Sequence, residues 1–132
     1  MVARLIGITA PELEKWLFHV EPYLKRLSVH SGYDIDDVYQ AIDDRQMQLW
    51  AGEHYVVLTQ IQILPQFKSL HLFFVAGDRI DVWEATALDL LVDFARSKGC
   101  ERITAHGRDG WKSRMKKCGF ENEQGLYFKV LT

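Results

Sequence analysis

The stretch "LFFVAGDRIDVWEATALDLLVDFARSKG", Leu72 to Gly99, carries an apolar run into a single glycine and then into an amphipathic pattern. After Gly77, Leu88, Leu91, Val92 and Ala95 recur at helical spacing until Gly99 stops the run. Asp81 followed by Glu84 has the spacing of a capping box and predicts that a helix opens there. A strand, a tight turn and a helix start make a natural anion cradle, because unpaired N–H groups and the helix dipole converge at that point.

Upstream of this unit the hydrophobic period is two. "QMQLW" alternates Met47 and Leu49 with glutamines, and "VLTQIQIL" puts Val57, Thr59, Ile61 and Ile63 on one face. Gly52 supplies the turn between these strands and "PQFKS" the next, so that "LHLFFV" completes an antiparallel meander of three strands. Nearer the start, Val2 to Ile8 reads as a strand, and Thr9 with Glu12 is a second capping box with Pro11 in the first turn. The helix it opens buries Trp16, Leu17 and Val20, and Pro22 is expected to break or restart it before Tyr23, Leu24 and Leu27. Asp34 and Asp37 cap another short helix that carries Ile35, Val38, Tyr39 and Ile42. Downstream, "RITA" reads as a strand, "DGWKSRMKKCG" as a short helix and "GLYFKVL" as a closing strand.

The chain has 132 residues, 48% of them hydrophobic and 26% charged, which suits one globular domain over residues 1–132. No apolar run reaches bilayer length and no cleavable leader is legible, so a cytoplasmic protein without membrane contact is expected. Cys100 and Cys118 are too few for a disulfide framework or a zinc knuckle and read as free thiols; no histidine pair has metal-ligand spacing. The net charge of −2 hides an asymmetry. Asp34 to Glu53 holds six acids against Arg45, whereas Arg96 to Lys117 holds eight bases against Glu101 and Asp109. Nucleic acid is disfavoured as a partner, since the whole chain is near neutral and shows no nucleic-acid motif.

The order strand, two helices, three meandering strands, long helix, strand, short helix ending in "GF" and terminal strand resembles the GNAT superfamily of N-acetyltransferases. The resemblance covers essentially the whole chain and is sharpest in "LDLLVDFARSKGCERITA" and "KKCGF". It implies an α+β fold with a central, mostly antiparallel mixed sheet and helices on both faces. A narrower likeness, to small GNAT-like proteins of bacteriophages, rests on compact size and aromatic supply and implies a virion-associated location if the chain is phage-encoded.

The family's acetyl-CoA loop, [Q/R]-x-x-G-x-[G/A], falls on "RIDVWE". Arg79 matches its first position, while Val82 and Glu84 replace the two small residues. A β-branched side chain crowds the backbone's approach to a phosphate, and a carboxylate repels the pyrophosphate while improving the helix start. The tyrosine that the family uses as general acid falls on Met115, which donates no proton. His71 is the one titratable side chain in "LHLFFV" and, with Tyr127, is a candidate catalytic residue; His106 ranks lower.

These departures favour a protein without a cofactor that acts by binding a protein partner. The alternative is an acetyl-CoA-dependent N-acetyltransferase with a divergent loop, in which Arg79, Arg108 and Lys112 serve the CoA phosphates. Trp50, Trp83 and Trp111 are candidate interface aromatics, with core packing as the other role for each, and Trp83 is expected to fill the pantetheine space or stand partly exposed.

Overall fold

The computed structural model describes residues 6–27, 31–78, 80–106 and 112–131, without the side chains of 6, 10 and 80–83. Strand β1 (Ile6–Ile8) leads through a 3-10 turn (Ala10–Glu12) into α1 (Leu13–Leu24), followed by α2 (Ile35–Asp43). The meander is β2 (Gln48–Ala51), β3 (Tyr55–Ile63) and β4 (Lys68–Gly77); then come α3 (Ile80–Ser97), β5 (Arg102–His106), α4 (Lys112–Lys117), β6 (Glu121–Glu123) and β7 (Leu126–Val130). One seven-stranded sheet has the order β1-β2-β3-β4-β5-β7-β6, and among the described residues its only parallel pair is β4 with β5, so the expected α+β mixed sheet is the one found.

Two cores lie on opposite faces of this sheet. On one, Ala87, Leu91 and Ala95 of α3 pack with Leu70, Ile103 and Tyr127. On the other, Val20 and Leu24 of α1 and Val38 and Ile42 of α2 pack with Leu49 and Leu58. The middle of the sheet is therefore apolar on both sides, and Tyr55 to Thr59 is buried at every position.

The local signals act largely as read. Asp34 and Asp37 form a complete capping box, with Asp37 N–H donating to Asp34 Oδ1 at 2.8 Å and Asp34 N–H to Asp37 Oδ2 at 3.0 Å. Gly99, at φ +77°, ends α3 in a left-handed turn whose six-residue closure is the 2.8 Å bond from Cys100 N–H to Ala95 O.

Four readings need correction. Pro22 does not break α1, which runs through it to Leu24. The carbonyl four residues back belongs to Phe18, a residue 98% exposed, so α1 carries its proline on the solvent side, where water can reach the acceptor left without a donor. Thr9 and Glu12 open a 3-10 turn and not the α-helix directly, with Thr9 Oγ1 donating to Glu12 Oε1 at 2.6 Å. The long helix begins at Ile80, so Asp81 sits within its first turn and not at the N-cap. Strand β6 went unread because "ENE" has no apolar alternation; it is held to β7 by a two-residue turn, Gln124 and Gly125, both at positive φ. The part of the first strand expected before Ile6 lies outside the described residues.

Candidate functional site

The site begins where β4 and β5 part. Their parallel pairing runs from Ser69–Arg102 to Leu72–Ala105 and stops. In the β3–β4 ladder, Leu58 faces Phe74 and Thr59 faces Leu72, which leaves Phe73 as one extra residue, a β-bulge. From Phe73 to Gly77, β4 pairs only with β3 among the described residues. Its other backbone edge has no strand partner among the described residues.

His71 lies just before this divergence. Cross-strand pairing sets it beside Thr104, and its Nδ1 is 2.9 Å from Thr104 Oγ1, which is in turn 3.0 Å from Ser69 Oγ. The ring meets that of His106 edge-on at 5.2 Å between centroids. His71 is 9% exposed, whereas His106 is exposed. Burial first, and then the neighbouring His106 charge, lower the His71 pKa from 6.5 to about 4. At neutral pH the imidazole is uncharged. Nδ1 and Thr104 Oγ1 share one hydrogen bond whose direction follows the tautomer, and in the Nδ1–H form Nε2 keeps a lone pair.

At the other side of the sheet, α3 and α4 meet. Glu84 Oε2 is 3.3 Å from Arg114 Nη1, and the carboxylate-bearing side chain is only 18% exposed. Glu84 is thus neutralised by a base from the chain itself. Lys112 opens α4 and is exposed; Met115 is half-buried against the α3 core. Lys129 Nζ donates to Cys118 O at 3.1 Å, which ties the end of α4 to β7. Cys100 and Cys118 are free thiols, and burial raises the pKa of both, so neither is a ready nucleophile.

The remaining sequence candidates separate. Tyr127 is 4% exposed within the α3 core. Trp50 serves the core and not an outer surface: its ring packs on Phe94 of α3 at 4.9 Å and its indole N–H donates to Thr59 Oγ1 at 3.0 Å. Trp16 is half-buried against the α1–α2 core. Arg79, Arg108 and Trp111 lie outside the described residues, as do the side chains of Asp81, Val82 and Trp83. Sequence reasoning missed Arg114, Thr104 and Ser69 as partners. The period-two pattern of "RITAH" aligned Arg102, Thr104 and His106 on one face, yet nothing in it said that β4 would lie alongside. Among the described residues no group of three histidine, cysteine or acidic side chains is arranged to hold a metal ion, and no helix is long and apolar enough to cross a membrane.

A protein from Desulfovibrio desulfuricans assigned to the GNAT acetyltransferases superposes with a TM-score of 0.71 at 11% identity, over 98% of this chain and 99% of the other. Glucosamine-6-phosphate N-acetyltransferase from Arabidopsis thaliana does so with 0.63 at 17% identity, over 94% and 95%. This chain has the GNAT acetyltransferase fold. AtaTR, solved bound with AcCoA, shares that GNAT fold at a TM-score of 0.62 and 11% identity, over 98% and 94%, and AtaT is also known complexed with acetyl-methionyl-tRNAfMet. No family model and no curated protein sequence matches the chain.

Proposed function

We propose that this chain is a GNAT-fold protein with a closed cofactor seat, acting by binding a macromolecular partner. The observation that carries the reading is the Glu84–Arg114 pair. Glu84 stands at a position that the fold's enzymes give to a small residue so that backbone amides can approach a pyrophosphate. Here a largely buried carboxylate stands there, and it engages Arg114, a base that would otherwise favour an anion. These donors do not fit acetyl-CoA. Met115 at the general-acid position supports the same reading, since a thioether has no proton to give. AtaT, of the same fold, lends support by its complex with a tRNA and by its complex with AtaR.

The test is a calorimetric titration with acetyl-CoA. The expected result is no binding heat at millimolar ligand; micromolar affinity would overturn the reading. Replacing Val82 and Glu84 together by glycine should then bring measurable affinity back.

A second reading, an acetyl-CoA-dependent N-acetyltransferase, is favoured by the parting of β4 from β5 beside a neutral His71. In it Arg79, Arg108 and Lys112 hold the CoA phosphates and His71 Nε2 takes the proton from an acceptor amine. The loss of a general acid lowers such a rate by about 10²- to 10⁴-fold and does not abolish it, because a thiolate leaves without prior protonation. CoA release from acetyl-CoA, followed with a thiol reagent in the presence of primary amines, separates the two readings.

A further inference from the structure

Helices α1 and α2 cover one half of their face of the sheet: every strand residue in the core beneath them comes from β1, β2, β3 or β4. The other half of that face, built by the start of β4 with β5 and β7, contributes no strand residue to that core; Ser69, His71 and Thr104 are buried there, and Arg102 and Val130 lie toward its end. At that end, on the first residue of β5, stands Arg102. Its guanidinium carbon lies 4.3 Å from the Phe67 ring centroid and 5.3 Å from that of Phe128, a two-sided aromatic clamp. Among the described residues no carboxylate forms an ion pair with it, although the chain carries 18 acids.

Apolar side chains border this cation. Val130, 46% exposed, stands directly opposite Arg102 on β7. Leu64, 42% exposed, stands opposite Phe67 across the β3–β4 turn, which the 2.9 Å bond from Leu64 N–H to Phe67 O closes. Two of the four exposed large hydrophobics among the described residues thus flank one clamped, unpaired guanidinium. Phe and Arg are residue types enriched at protein interfaces, and exposed aliphatics beside them extend the apolar area a partner can cover. Contact with both rings restricts the guanidinium before any ligand arrives, which lowers the rotamer freedom lost on binding.

We propose that this half-face, Leu64, Phe67, Arg102, Phe128 and Val130, docks a peptide segment of a partner protein in which an aspartate or glutamate is flanked by apolar residues. The acid forms a forked pair with Arg102 and the apolar neighbours cover Leu64 and Val130. The inference rests on the reading that the chain acts by binding a macromolecule, and it names the face and the chemistry of the partner.

The test is selection from a random ten-residue peptide library with the full chain as bait, repeated with R102E and V130D. Both substitutions fall on exposed or half-exposed positions, and unfolding curves confirm that each variant folds. The expected outcome is enrichment of acid-plus-apolar peptides on the native chain. R102E should weaken the selected peptides at least about thirtyfold and shift enrichment to lysine- and arginine-bearing peptides. V130D should weaken the same peptides without changing their charge preference. Enrichment without acids, no enrichment, or binding indifferent to R102E overturns the proposal. So does sedimentation showing a dimer that R102E dissociates, since the occupant is then a second copy. Acetyl-CoA binding in the separate titration would overturn the binding-module reading while the peptide selection still reports on the face itself.

Discussion

Acidification should destabilise the folded chain through one buried side chain, His71. In the folded state its pKa is about 4, against an ordinary 6.5. Between those values the unfolded chain binds a proton that the folded chain refuses, so stability rises with pH through this window and falls as the solution is acidified. The full effect is 2.5 pKa units at 1.36 kcal/mol each, about 3 kcal/mol, of which about 2 kcal/mol is felt between pH 7 and pH 4.5. The 9% exposure of His71 and its engaged Nδ1 leave little solvent to soften this cost. The measurement is urea unfolding of the native chain and of H71Q at steps from pH 7 to 4.5. Gln retains an amide for Thr104 and cannot take the proton. Carboxylate titration is common to both proteins and cancels in the difference. The native chain should lose about 2 kcal/mol more than H71Q over this range. Parallel pH profiles would refute the argument, and would mean that His71 meets water in the folded state.

Removing the neighbouring charge with H106N should raise the His71 pKa, read from the ring proton shifts in an NMR titration; an unmoved value would show that burial acts alone. D34A should cost roughly 1 kcal/mol in urea unfolding by removing the arm of the α2 capping box in which Asp34 Oδ1 accepts from Asp37 N–H. A double-mutant cycle on E84Q and R114Q should give a coupling of roughly 0.5–1 kcal/mol that shrinks in salt, because the guanidinium side is partly solvated. G77A should cost more than about 2 kcal/mol or prevent folding, since a Cβ there would stand 2.3 Å from Tyr55 Cβ and 2.5 Å from the His54 carbonyl oxygen, with backbone on both sides and no flexible tip to give way.

What the chain determined by itself is what depends on neighbours in sequence. The Asp34–Asp37 box, the Gly99 stop and the Leu88–Leu91–Val92–Ala95 stripe of α3, to which the structure adds Ala87, are set by contacts three to five residues apart, so composition and spacing found all but Ala87. The meander, too, followed from strands joined by short turns. Pro22 misled because its meaning depended on whether the Phe18 carbonyl faced solvent, a fact about packing.

Tertiary structure alone decided the rest. Period two states which residues share a strand face and is silent about which strand lies alongside. The insertion of β7 between β5 and β6, the seating of Thr104 against His71, and the clamp of Phe67 and Phe128 on Arg102 therefore had no local signature. The same holds for charge: Glu84 met Arg114 only when α4 brought it across thirty residues of chain, and the His71 imidazole became uncharged at neutral pH only when the sheet closed over it. Ionisation follows solvent access and neighbouring charge, and both are fixed by the packing of elements distant in sequence.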